Sequence, residues 1–98
     1  MELKLKFSEN EHFFKGHYPG YPVTPGVMLI DKAHSATETL FNRKIVLKAI
    51  KKVKFLNPIL PEEAVVLKLE QRGEGEISYS FSKNGVQCAS GIFVFEFR

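Results

Sequence analysis

Two side chains suited to acid–base chemistry lie in the first third of the sequence. His17 lies in the segment 16–26, which contains three of the five prolines and three of the seven glycines. This composition predicts a loop of fixed shape. Asp31 follows fourteen residues later, on a predicted helix. Imidazole titrates near neutral pH and a carboxylate can accept or donate a proton. The spacing therefore suggests an acid–base pair.

The backbone of Gly26 is a third candidate. It falls in the first turn of the predicted helix, where the N–H lacks an intrahelical partner and lies at the positive end of the dipole. The absent side chain lets a ligand oxygen approach. Such an N–H can stabilise an oxyanion.

Each of these residues also has a purely structural interpretation. A histidine among aromatic residues and prolines can simply pack the loop, Asp31 falls on the polar side of the helix, and Gly26 can allow close packing. A metal site is not expected, because His12, His17 and His34 lack the i, i+4 spacing of helical ligands.

Periodicity predicts the elements that position these residues. Leu3, Leu5 and Phe7 alternate with charged residues, which predicts a strand with one buried face. Thr24 is placed to cap a helix that runs to about Asn42. The core stripe of this helix is predicted to contain Leu29, Ala33, Ala36 and Leu40.

The remainder of the chain alternates strands and turns. The apolar phase changes between Ile50 and Val53, which predicts a bulged strand, and Asn84-Gly85 predicts a two-residue hairpin turn. The predicted strands after the helix cover residues 45–55, 65–70, 77–81 and 86–97. Five strands and one helix predict an α+β domain in which an antiparallel sheet packs on a single helix.

Length and composition limit the class of protein. The 98 residues, 44% hydrophobic and 26% charged, predict one soluble globular domain over residues 1–98 with a small core, so we expect self-association. The net charge of +3 is too small for a nucleic-acid-binding protein but suits an acidic partner. Cys88 is the single cysteine, and no apolar run approaches the roughly 18 residues of a membrane span. The expected location is the cytoplasm.

The segment from Gly16 to Asp31 resembles the active-site segment of the hotdog-fold 3-hydroxyacyl-[acyl-carrier-protein] dehydratases of the FabA/FabZ type. That family has the pattern H-F-x-G-x-P-x-x-P-G, then an apolar run and an acidic residue on the central helix. The positions that correspond without a gap are His17, Tyr18, Gly20, Pro22, Pro25, Gly26 and Asp31. A weaker similarity continues to Pro58. The resemblance implies a long helix wrapped by an antiparallel sheet, and a homodimer or higher homo-oligomer of such domains.

The same resemblance implies a catalytic arrangement shared between two subunits. His17 of one subunit takes the proton at C2 of a 3-hydroxyacyl thioester, and Asp31 of the other holds and protonates the departing hydroxyl. The Gly26 N–H polarises the thioester carbonyl, and the Val23 carbonyl orients the imidazole. Ser35 stands where family members often carry a glutamine. The implied substrate is linked to acyl carrier protein or coenzyme A, with no further cofactor.

Two alternative functions are compatible with the same fold. A hotdog thioesterase would use a carboxylate to activate water, and a non-catalytic hotdog domain would bind acyl thioesters or form part of a larger synthase. The intact histidine loop favours the dehydratase. The basic residues after the helix are either solvated strand positions or a docking surface for an acidic carrier protein: Arg43, Lys44, Lys48, Lys51, Lys52 and Lys54.

Overall fold

One helix and five strands make up the part of the chain that the structure describes. The computed structural model describes residues 1–7, 24 and 26–98, so His17 and Val23 lie outside the described residues. In chain order the elements are β1 (Glu2–Leu5), α1 (Gly26–Phe41), β2 (Ile45–Phe55), β3 (Val65–Gly73), β4 (Glu76–Lys83) and β5 (Val86–Phe97). The predicted α+β class is confirmed. Within these ranges no helix has the length and apolar character that crossing a membrane requires.

The strands form one antiparallel sheet in the order β1-β3-β4-β5-β2. Side chains alternate between its two faces, as expected for strands with one face buried. A row of paired residues on the buried face shows how the core crosses the sheet: Leu3, Leu67, Phe81, Ala89 and Phe55. The two members on edge strands, Leu3 and Phe55, are the less buried ones.

Helix α1 packs its stripe of small residues into this core. Leu29, Ala33 and Ala36 are buried as predicted, but Leu40 is 39% exposed, so its assignment to the core was wrong. Thr37 is buried in its place, which is tolerated because its hydroxyl donates a hydrogen bond to a carbonyl one turn earlier. Phe41 takes the last inward position of the helix, against two aromatic rings of β5.

Strand β2 contains the predicted bulge. The pairing with β5 shifts between Lys51 and Lys54, and Lys52 between them has a φ of 53°. A second shift, between Leu47 and Ala49, was not predicted. Because an extra residue sits in β2, the strand bends where it passes from the helix C-terminus towards the helix N-terminus.

The tight turn between β4 and β5 is also as predicted. Asn84 and Gly85 have φ angles of 51° and 77°, the left-handed pair that a two-residue hairpin turn needs.

Candidate active site

Of the predicted site residues, Gly26 lies where the N-terminal end of α1 meets the sheet. Gly26 is the first residue of the helix and lies under the ring of Phe55, the last residue of β2. A Cβ on Gly26 would lie 2.6 Å from the Cζ atom of that ring. Because Gly26 has no side chain, the Phe55 ring lies close to its Cα, and a Cβ here would force this 57% exposed ring to move.

The connection between β2 and β3 anchors both flanks of the segment that carries His17. The Glu62 N–H donates to the Phe7 carbonyl at 2.8 Å, and the Thr24 N–H donates to the Ile59 carbonyl at 2.8 Å. Phe7 and Ile59 are buried, at 2% and 1% exposure. These two bonds tie residues 7 and 24 to one connection, so the chain enters and leaves the histidine segment at fixed points.

That connection is itself held by an ion pair. Lys83 contacts Glu63 at 2.8 Å and also donates to the Pro58 carbonyl at 2.8 Å. Glu63 in turn accepts the Leu60 N–H at 2.7 Å. The hydrogen bond from Lys83, followed by the one from Leu60, lowers the pKa of the Glu63 carboxyl. The support of the site thus depends on a charged group from β4.

Thr24 does not act as the predicted helix cap. Its side chain is 5% exposed, yet its hydroxyl has no hydrogen-bond partner. The cap prediction was therefore wrong, because an N-cap hydroxyl accepts a hydrogen bond from an N–H in the first turn. Nothing in the sequence distinguishes a capping threonine from this one, since both precede a helix.

Asp31 is exposed on the face of α1 that points away from the core, as the helical wheel predicts. Val27, one turn before it, is 69% exposed, and Ser35, one turn after it, is also exposed. Gly26 and Asp31 are five residues apart on one helix, about 7.5 Å along its axis. Their own chain thus holds a backbone donor and a carboxylate at a fixed separation, and the predicted roles of His17 and Val23 stay predictions.

The C-terminal end of α1 contains a second polar cluster around Glu38. Its carboxylate accepts the Ile45 N–H at 2.8 Å and lies 3.7 Å from Lys44 and 3.6 Å from the His34 imidazole. The hydrogen bond from Ile45 is the main cause that lowers the pKa of Glu38. An open groove of about 580 Å³ borders this cluster and is lined by Ser35, Glu38, Thr39, Asn42, Arg43 and Lys44.

The lysines after the helix divide into two groups, while Arg43 donates to the Arg98 carbonyl at 3.2 Å and lies over the Phe97 ring. Three lysines lie near carboxylates: Lys44 near Glu38, Lys48 near Glu96 at 3.9 Å, and Lys51 near Glu76 at 3.5 Å. Lys52 and Lys54 have no carboxylate of the described residues within 4.0 Å; with Arg72 they line a depression of about 190 Å³. Within β2, the lysines without a carboxylate neighbour are thus the two nearest Phe55.

A single long helix packed against a five-stranded antiparallel sheet is the hotdog fold. Two solved structures share this fold. The dehydratase heterocomplex ApeI:P from Xenorhabdus doucetiae matches with a TM-score of 0.86 and 23% identity, over 96% of this chain and 84% of that one. An uncharacterized protein from Erwinia carotovora subsp. atroseptica matches with a TM-score of 0.87 and 27% identity, over 98% of this chain and 82% of that one.

The family is shown by the sequence match. The family model of the ApeI-like proteins, described as ApeI dehydratase, matches residues 1–92, and the chain belongs to this family. Curated relatives include FabZ dehydratases of Wolbachia sp. subsp. Drosophila simulans (strain wRi), 37% identical over 65 residues that cover 59% of this chain and 46% of the relative. The FabZ of Geobacter metallireducens is 31% identical over 90 residues, which cover 83% and 55%. The chain spans about half the length of these relatives.

Proposed function

We propose that this chain dehydrates 3-hydroxyacyl thioesters to trans-2-enoyl thioesters, in fatty-acid or related acyl-chain biosynthesis. The observation that carries the proposal is the position of Gly26, at the first turn of α1 beneath the Phe55 ring, in a chain of the ApeI-like dehydratase family. The helix dipole and a backbone N–H without an intrahelical partner both favour negative charge on an oxygen placed there. An enolate oxygen is such a charge.

In the proposed reaction each group has one task. The His17 imidazole removes the proton at C2, while the Gly26 N–H stabilises the charge that develops on the thioester oxygen. The electron pair forms the C2–C3 double bond and the C3–O bond breaks. Asp31, in its protonated form, donates a proton to the departing hydroxyl, which leaves as water. The Val23 carbonyl orients the imidazole for the first step.

Two copies of the chain would complete one site. Asp31 faces away from its own core, and β2 is an edge strand of the sheet with an exposed, apolar end. The exposed apolar side chains near this edge and at the N-terminus of α1 include Val27, Ile50, Val53, Phe55 and Leu56. A second copy that covered this surface would bring its own histidine segment towards Asp31. Because the Xenorhabdus structure is a heterocomplex, a different subunit is the alternative partner to be tested.

The substrate is proposed to arrive on acyl carrier protein, as the names of the FabZ relatives specify for those proteins. A coenzyme A thioester has the same reacting atoms. Carrier proteins are acidic partners. The charges of Lys52 and Lys54 lie at the end of β2 that precedes Phe55, and Arg72 of β3 lines the same depression. Charge complementarity of this kind acts mainly on the rate of encounter.

The proposal is tested by incubating the chain with 3-hydroxyacyl and trans-2-enoyl carrier-protein substrates and following the products by mass spectrometry. We expect interconversion of the two, seen as loss or gain of one water. Release of free carrier thiol without that change would identify a thioesterase instead. Binding of both substrates with no product of either kind would identify a non-catalytic acyl-binding domain.

A further inference from the structure

Thr24 carries a buried hydroxyl that its own fold leaves without a partner. Thr24 and Thr37 are the two buried polar residues of the described part of the chain, at 5% and 0% exposure. Thr37 Oγ1 donates to the Ala33 carbonyl at 2.8 Å, whereas Thr24 Oγ1 makes no hydrogen bond. An unsatisfied buried hydroxyl costs stability, and a valine of nearly the same shape would avoid that cost. The hydroxyl therefore calls for an explanation other than packing.

The backbone of Thr24 is held in place beside the helix N-terminus. Its N–H donates to the carbonyl of Ile59, which belongs to the connection that Lys83 and Glu63 brace. Thr24 precedes Gly26 by two residues, so their Cα atoms are at most about 7 Å apart. One oxygen atom can lie within hydrogen-bonding distance of two donors separated by about 6 Å or less. This short separation allows one ligand oxygen to lie near both the Gly26 N–H and the Thr24 side chain.

We propose that the Thr24 hydroxyl is a second hydrogen-bond donor, beside the Gly26 N–H, to the thioester carbonyl oxygen of the substrate. The inference rests on the proposed dehydratase function. As the C2 proton leaves, negative charge grows on that oxygen, and both hydrogen bonds strengthen. The helix fixes the Gly26 N–H, and the Ile59 contact fixes the backbone of Thr24, so that only the Thr24 side chain turns to meet the thioester oxygen. The hydroxyl gains its missing partner only when the thioester is bound.

The test compares three variants of the chain in the dehydration assay. Thr24→Val removes the hydroxyl and keeps the branched shape, Thr24→Ser keeps the hydroxyl, and Thr37→Val is the matched control for a buried threonine that already has a partner. We expect Thr24→Val to lower kcat by about 10²-fold, the loss typical of one oxyanion donor. Thr24→Ser should retain most of the activity, and Thr37→Val should leave kcat near that of the wild type.

Two further measurements separate this role from a structural one. The melting temperature of Thr24→Val should equal or exceed that of the wild type, because no hydrogen bond of the free protein is lost. In isotope-edited infrared spectra, the carbonyl stretch of a bound enoyl thioester should shift less to low frequency in Thr24→Val than in the wild type. The pH dependence of kcat should be unchanged, because the hydroxyl does not titrate in this range.

Several outcomes would overturn the inference. If the wild type dehydrates the substrate and Thr24→Val matches it within a factor of three, the hydroxyl is not a donor. A fall in melting temperature together with activity would assign Thr24 to the fold. A shifted pH profile would mean that the hydroxyl acts through the histidine. A wild type that produces no enoyl product would refute the dehydratase function itself, and the role of Thr24 with it.

Discussion

The two ends of α1 differ in how completely their polar groups are satisfied. At the C-terminal end, Asn42 has a φ of 53°, the Arg43 N–H donates to the Glu38 carbonyl at 3.1 Å, and the Asn42 N–H donates to the Thr39 carbonyl at 3.2 Å. This is the Schellman arrangement, with asparagine in the left-handed position. At the N-terminal end, the Thr24 hydroxyl has no partner and an exposed ring covers Gly26.

The two ends of α1 therefore use their hydrogen-bonding groups differently. The C-terminal end uses its hydrogen bonds to join α1 to β2, and the Glu38 carboxylate extends that join to Ile45. The N-terminal end leaves donors available, which costs stability in the free protein. Because a bound ligand can complete such a group, this contrast is consistent with the proposed site at the N-terminal end.

The largest effect should come from the histidine assigned to the N-terminal end. His17→Ala should lower turnover by about 10²- to 10⁴-fold, the usual contribution of a general acid or base. His34→Ala is the control, because His34 lies in the C-terminal cluster, 3.6 Å from Glu38. Steady-state rates and melting curves of both variants make the comparison. If His17→Ala stayed within a factor of three of the wild type, the catalytic assignment would be wrong.

The next effect tests whether the N-terminal end is shared between two copies. His17→Ala and Asp31→Asn chains, each inactive alone, should recover activity when mixed under conditions that allow exchange. Random mixing should restore about a quarter of wild-type activity, because half of the dimers are mixed and each has one intact site. Native mass spectrometry would confirm exchange. A mixture that exchanged and remained inactive would contradict the composite site.

A smaller effect is expected at the C-terminal end, on stability and not on turnover. The pKa of Glu38 is lowered in the folded chain, chiefly by the Ile45 N–H. Its charged form therefore stabilises the fold above the ordinary pKa of a glutamate, and this contribution is lost as the pH falls through the lowered value. Glu38→Gln should reduce the melting temperature by a few degrees at neutral pH.

The melting temperatures of the wild type and of Glu38→Gln should then converge as the pH is lowered. The kcat of the two proteins should be equal at every pH. Glu74→Gln, in the exposed turn between β3 and β4, is the control and should not change the melting temperature. If the melting temperatures of the wild type and of Glu38→Gln differed by the same amount at every pH, the charge of Glu38 would not be what stabilises the C-terminal end of α1.

Local signals predicted most of the fold. The turn at Asn84-Gly85 and the bulge near Lys52 depend on residues adjacent in sequence, and both are present. Leu40 was assigned to the core because the wheel cannot show where the sheet stops covering the helix. The core position of Thr37 was missed because its hydroxyl is satisfied only by a helix carbonyl.

For the candidate site, the sequence predicted where two residues lie on the helix, and their catalytic roles stay predictions. Gly26 and Asp31 follow from helix geometry and from the family motif. The covering ring of Phe55 and the unpartnered Thr24 hydroxyl arise from contacts between segments about 30 residues apart or more in sequence, which no local pattern encodes. Contacts of this kind require the fold itself.

The smallest expected effect concerns the lysines along and just before β2. Lys44, near the C-terminal end of α1, has a carboxylate neighbour, whereas Lys52 and Lys54, three residues and one residue before Phe55, have none among the described residues. Lys52→Glu with Lys54→Glu should raise KM for a carrier-bound substrate several-fold and weaken its dependence on salt, because attraction between surfaces acts on encounter and is screened by ions. Turnover of a small acyl-thioester analogue should stay nearly constant.

Reversal of the paired lysines, Lys48→Glu with Lys51→Glu, is the matched control and should have the weaker effect on KM if free charge is what the carrier protein meets. Equal losses on both substrates would mean damage to the fold or the site, and no change on either would assign Lys52 and Lys54 to solubility.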